Sequence, residues 1–184
     1  NDAFRNEVEK LKPTLDYDAR FARSLAGKPV VLGYYLSSEE NAEKNGALPP
    51  PVMPGGTFKG RVIDWYQWKG HGGNLPGFQK SALASGLFNP LVDLDGVVRR
   101  VPMLSEYEGQ YYESLALAMF RALLGSPNLE PGYPPERFLS KNYQGLEWLE
   151  MKANAGGQLR SFRIPVDKAV ASLVPYRGRG GPKG

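Results

Sequence analysis

Few residues in this chain are placed to do bond-making chemistry. His71 is the one imidazole, in the run Gly70-His71-Gly72-Gly73, and as a base or ligand it would act from a loop. Set among glycines with no acidic or nucleophilic neighbour, it reads better as a solvated or hydrogen-bonded loop residue. Ser85 precedes Gly86 but lacks a glycine two residues before it, so the G-x-S-x-G nucleophile elbow is not formed. Asp93-Leu94-Asp95-Gly96 looks like half of a calcium loop. An EF-hand, however, needs its glycine at the sixth position and a glutamate at the twelfth, so the run reads as a β-turn. The tail Gly178-Arg179-Gly180-Gly181-Pro182-Lys183-Gly184 is rich in backbone amides but lacks the Gly-Lys-Ser/Thr end of a P-loop. Trp65 and Trp68 read first as packing residues. No triad, paired carboxylates or metal cluster survives, so no catalytic residue, metal or cofactor is assigned, and a stand-alone hydrolase ranks last.

Composition narrows the classes further. The 184 residues contain no cysteine, which excludes disulfides, thiolate zinc sites and cysteine nucleophiles. It leaves cytosol and periplasm open. A 41% apolar share with 11% aromatics is enough for one core. The 22 glycines and 16 prolines make loops numerous. The net charge of +4 is spread along the chain, and its densest group, Arg177, Arg179 and Lys183, has no stacking aromatic, so no nucleic-acid partner is expected. No apolar run reaches the roughly 18 residues of a membrane span, and no signal peptide opens the sequence. The chain reads as a soluble piece of a longer membrane protein.

The elements that must position any site follow from periodicity. Val8 and Leu11 share a helical face that Pro13 closes; Asp16 or Asp18 then caps a helix with Phe21, Ala22 and Leu25 as its stripe, ended by Gly27. Val30–Leu36 is a continuous apolar run, expected as a strand covered on both faces. Ser37–Gly77 is irregular, with Pro49-Pro50-Pro51 and Pro54-Gly55-Gly56. A short helix at Pro76 should turn Phe78, Ala82 and Leu83 inward. Asp95-Gly96 makes a hairpin turn, with Val97, Arg99 and Val101 on one face and Val98, Arg100 and Pro102 on the other. Pro102 marks an edge or a strand end. Glu108-Gly109 is a second turn. The helix after Ser114 should bury Leu115, Ala118, Met119, Ala122 and Leu123, and a Pro-rich connection spans Ser126–Arg137. Strands at Leu146–Met151 and Leu159–Ile164 join through Asn154-Ala155-Gly156-Gly157, and Ser172–Gly178 is a last short strand. The fold class is α/β in the mixed α+β sense, a central mixed sheet with helices packed on it and long Gly/Pro-rich loops.

Asn89, Asp93-Leu94-Asp95-Gly96-Val97-Val98-Arg99-Arg100-Val101-Pro102 and Tyr112-Glu113-Ser114-Leu115-Ala116-Leu117-Ala118 together resemble the type-2 CHASE domain, the extracellular sensory module associated with cyclases and histidine kinases. Leu15-Asp16-Tyr17-Asp18, Ile164-Pro165-Val166-Asp167 and Tyr176-Arg177-Gly178 flank that block in the same order. Gly46-Ala47-Leu48-Pro49 and Gly73-Asn74-Leu75-Pro76 look like the forms attached to bacterial adenylate or guanylate cyclases. The resemblance implies one extracytoplasmic sensory domain over 1–184, truncated at its ends, on the periplasmic face of the cell membrane. It would be tethered through segments outside this chain, homodimeric, and followed by a cytoplasmic output. Truncation predicts a sheet that exposes an edge or borrows a partner's strand. For a small-molecule ligand the candidates are Arg99, Arg100, Asn74, Asn89, Tyr111, Tyr112 and Trp65, and an inward arginine would select an anion. The competing reading ties that arginine to Asp93, to Asp95 or to loop carbonyls. The alternative function is a dimerisation domain with no small-molecule ligand.

Overall fold

A computed structural model of the protein describes residues 2–134, 145–176 and 178. The tail residues Arg177, Arg179 and Lys183 and the last part of the Ser126–Arg137 connection lie outside them. Helix α1 spans Asp2–Leu15 and α2 spans Tyr17–Leu25. The chain does not leave the helix at Pro13 as expected. So near the end, the missing N–H of proline gives up only one rung, and Thr14 Oγ1 donates to the Leu11 carbonyl at 2.6 Å. The break comes at Asp16, whose carboxylate accepts from the Ala19 amide at 2.8 Å and caps α2. Gly27, at φ +72°, ends that turn.

Strand β1 (Val31–Ser37) sits inside a four-stranded sheet. It pairs antiparallel with β3 (Gly70–Gly72), which pairs in parallel with β2 (Lys44–Asn45). On its other side it runs parallel to β4 (Ala84–Leu87), with Tyr34 opposite Leu87. Tyr34 and Leu36 are buried while Tyr35 between them is exposed, so β1 is covered on one face rather than two. The irregular stretch Ser37–Gly77 contains β2 and β3 and little other regular structure. Helix α3 (Pro76–Ser81) places Phe78 edge-on against Phe21 of α2, centroids 5.0 Å apart. Ala82 lies past its end and Leu83 is exposed, which corrects their inward placement. Asn89 extends the sheet with a side chain. Its Nδ2 donates to the Leu36 carbonyl at 2.8 Å while its Oδ1 accepts from the Leu36 amide at 2.9 Å.

The Asp95-Gly96 turn, with Gly96 at φ +79°, joins β5 (Leu91–Val92) to β6 (Val98–Pro102). On the far side of β6 lies β12 (Ala171–Leu173), so Pro102 is a strand end in a central strand. β12 is shorter than the expected Ser172–Gly178 strand. Strands β7 (Leu104–Tyr107) and β8 (Gln110–Glu113) close through Glu108-Gly109, both at positive φ. Helix α4 (Leu115–Leu123) is capped by Ser114, whose Oγ accepts from the Leu117 amide at 3.2 Å. Its buried residues are Leu117 and Ala118, while Met119 is exposed and Leu123 is 84% exposed. The helix is thus rotated from the predicted face, because its N-terminus abuts β4 and turns Leu117 into the core. Strands β9 (Leu129–Gly132), β10 (Trp148–Ala155) and β11 (Gln158–Pro165) form a third sheet, with Gly156-Gly157 in the β10–β11 turn. β11 pairs only with β10 among the described residues.

The mixed α+β class holds, with the strands among the described residues spread over four small sheets rather than one central sheet. Among the described residues two apolar clusters form the core. The larger centres on Phe58, Leu104, Tyr111, Leu117, Leu149 and Met151; the smaller joins Tyr34, Leu36, Leu87, Tyr107 and Tyr112.

Candidate functional site

The hairpin β5–β6 gathers five charged side chains at one end. Arg99 forks onto Asp95, with Nη1 to Oδ1 at 2.8 Å and Nη2 to Oδ2 at 2.6 Å, and its Nη1 also donates to Asp93 at 3.0 Å. Arg100 donates to Asp93 and to Asp167, each at 2.9 Å. Asp93 therefore bridges both arginines. Asp167 Oδ1 also accepts from the amides of Ala169 and Ala171, at 2.9 and 3.0 Å, fixing the turn that leads into β12. The cluster ties the hairpin turn, β6 and the β12 turn together. With three carboxylates against two guanidinium groups its formal charge is negative. Beside it lies an open groove of about 550 Å³, lined by Tyr66, Val92, Leu94, Asp93, Asp95, Arg99 and Arg100.

The remaining candidates do not join this groove. Trp65 and Tyr111 pack on Phe58 in the larger core, with centroids 5.5 and 4.8 Å away. Tyr112 faces Tyr34 in the smaller core, edge-on at 6.4 Å. Asn74 Nδ2 donates to the Gly33 carbonyl at 3.2 Å, and Asn89 is engaged with Leu36. Half-buried His71 lies in β3 with Nδ1 3.3 Å from the Tyr107 hydroxyl, and buried Ser85 donates to Gln79 at 3.0 Å. Among the described residues no group of His, Asp and Glu is arranged to hold a metal ion.

The family model described as the CHASE2 domain matches residues 2–183, essentially the whole chain. The chain belongs to the CHASE2 domain family. CHASE2 domains are extracellular sensory domains and not catalytic ones. No curated protein and no solved structure matches the chain. Among the described residues no helix is long and apolar enough to cross a membrane. In this CHASE2 domain the Asp-Gly-Val-Val-Arg-Arg-Val-Pro run builds the turn and β6 of the hairpin, and its charged members, Asp95, Arg99 and Arg100, supply three of the five charges of the cluster.

Two further charged groups of the CHASE2 fold escaped the sequence reading. Glu113 Oε1 accepts from Arg121 Nη1 at 2.6 Å, and the two side chains are only 6 and 14% exposed. Burial pushes the Glu113 carboxyl up, against the hydrogen bond from Arg121. Its Oε2 and the Tyr34 hydroxyl are buried without a hydrogen-bond partner among the described residues. A signal for the pair was present, since Arg121 is the one charge in the apolar helix Leu-Ala-Leu-Ala-Met-Phe-Arg-Ala-Leu and needs a partner. Asp167 stood in the quoted Ile-Pro-Val-Asp run, but nothing local linked it to an arginine 67 residues away.

The cluster should respond to acid. Hydrogen bonds from Arg100 and then Arg99 hold Asp93 below the ordinary aspartate range, and Arg99 does the same for Asp95. A depressed folded-state pKa contributes stability that is present above the unfolded value and lost as pH falls through the folded one. Asp93→Asn should melt below the parent at pH 7, and the difference should shrink towards zero as pH drops beneath the aspartate range. Melting temperatures followed from pH 7 to 2 test this; a constant difference would contradict it.

Proposed function

We propose that this chain is the extracytoplasmic input domain of a homodimeric membrane receptor that regulates a cytoplasmic class III adenylate or guanylate cyclase. The observation that carries the reading is the CHASE2 match across residues 2–183, with its most specific run built into the Arg–Asp cluster. Membrane segments outside this chain tether it, and the domain faces the periplasm. Because both guanidinium groups already hold carboxylates, an anionic ligand binds Arg100 by displacing Asp167, the carboxylate that fixes the β12 turn. Ligand binding and release of the β12 turn from β6 are then one event, which is the differential binding to two arrangements that signalling requires.

The test is cyclic-nucleotide formation by membranes carrying the full-length parent protein. Arg100→Ala in this domain should change that rate several-fold without altering protein abundance. Membranes with no cyclase activity would remove the assigned output, and an unchanged rate would remove the cluster from signalling. The saturation of both arginines favours a second reading, a dimerisation domain without a small-molecule ligand. Native mass spectrometry separates the two: a bound small anion lost in Arg100→Ala supports the sensor, and a ligand-free domain supports the alternative.

A further inference from the structure

Helix α1 carries an apolar stripe that the other described residues leave uncovered. Phe4, Val8, Leu11 and Leu15 are 73, 39, 49 and 59% exposed, and among the described elements none packs extensively along α1. The four residues follow one another at intervals of four, three and four. Over its two heptads this alternation has the spacing of a coiled-coil seam, whereas a helix lying on a globular core shows a wider apolar face. Val8 and Leu15 occupy the a positions, and Phe4 and Leu11 the d positions. A β-branched residue at a with leucine at d favours a parallel two-stranded pair.

The flanking charges fit the same geometry. In this register Glu7 is a g residue and Lys12 an e residue five positions on. In a parallel, in-register pair, g faces the e position of the next heptad, so Glu7 meets Lys12 of the partner subunit, twice by symmetry. An antiparallel pair would bring e towards e and set Arg5 against a second Lys12. Along the seam runs an open groove of about 640 Å³ lined by Val8, Leu11, Lys12, Leu15 and Asp16. The charges of α1 balance, Arg5, Lys10 and Lys12 against Asp2, Glu7 and Glu9, which does not suit an anionic lipid surface.

We propose that α1 is a parallel, in-register dimer seam whose occupant is the α1 helix of a second copy of this chain. The proposal rests on the homodimeric reading above and names its interface. The cysteine-free chain makes the test direct. Leu11→Cys and Lys10→Cys proteins, oxidised at equal concentration, should differ: the seam cysteine cross-links to itself several-fold faster than the one on the outer face. Adding Glu7→Lys or Lys12→Glu to Leu11→Cys should slow cross-linking, and mixing those two variants should restore it, because opposite charges then face each other. Equal rates for the two cysteines, or no recovery on mixing, overturns the seam. A dimer by sedimentation in which Leu11→Cys does not cross-link keeps the homodimer and overturns this interface. A monomer at every concentration, without cross-linking, overturns both. Co-sedimentation with phosphatidylglycerol vesicles that is abolished by Leu11→Asp would give the stripe to lipid and overturn the proposal.

Discussion

Replacing Arg121 with methionine should destabilise the domain by about 3–5 kcal/mol, the cost of stranding a buried charge. Glu113 is buried, Arg121 is its one ion-pair partner among the described residues, and its second oxygen has no hydrogen-bond partner there. Folded domains are stable by only about 5–15 kcal/mol, so this is a large share. Urea unfolding of the parent and the variant at pH 7 measures it. The pH dependence has a definite sign. Burial raises the Glu113 carboxyl in the folded state, so the folded protein holds that proton more tightly than the unfolded chain. Stability from this group therefore grows as pH falls through the raised value and is complete below the unfolded one. Without Arg121 the carboxyl rises further, and Arg121→Met should recover ground on the parent between pH 7 and pH 5. The double variant Glu113→Leu with Arg121→Met should regain most of the loss, since a buried ion pair exchanged for apolar groups is often neutral or better. A double variant no more stable than Arg121→Met would show that the helix, and not the pair, was damaged.

The second large effect is steric. Strand β4 lies so close to the start of α4 that a Cβ on Gly86 would fall 2.4 Å from Leu115 Cα and 2.5 Å from its amide nitrogen. Those are backbone atoms and cannot rotate aside. Gly86→Ala must push β4 from α4 and break the parallel ladder with β1, or disturb the Ser114 cap. The cost should reach or exceed the upper end of the roughly 1–3 kcal/mol typical of overpacked cores. Gly77→Ala is the control. Its nearest neighbour would be Ala22 Cβ at 3.8 Å, so the variant should match the parent or exceed it by about 0.4–1 kcal/mol through chain entropy. Thermal unfolding of both variants decides it; a Gly86→Ala protein as stable as Gly77→Ala would disprove the close approach.

The same glycine explains what periodicity could not show. Ala84-Ser85-Gly86-Leu87 has no β-branched or aromatic residue, and its strand exists because small side chains let a helix lie against it. Turn chemistry was legible wherever the local backbone alone decides, as at Asp95-Gly96, Glu108-Gly109 and the Asp16 cap. Faces were harder to read. The stripe assigned to α4 included Met119 and Leu123, which are exposed, because an almost wholly apolar helix offers no polar side to orient it. Pro13 punctuates the sequence more strongly than it does the helix. Within the site, Arg99 and Arg100 were visible as a pair, and Asp93 and Asp95 as local partners. Asp167 was not, since its role depends on β12 pairing across β6.

That pairing has a mechanical consequence. β12 runs antiparallel beside the central strand of its sheet, and beyond it the Val174 amide donates to the Arg99 carbonyl at 2.9 Å and the Tyr176 hydroxyl to the Val98 carbonyl at 2.6 Å. The ladder bonds stand across the strand direction. A pull on Tyr176 along β12 loads these bonds together in shear, whereas a pull away from the sheet peels them one at a time. Tension along that strand thus meets these bonds together, whereas lifting meets them in turn from Tyr176 back towards the Asp167–Arg100 pair.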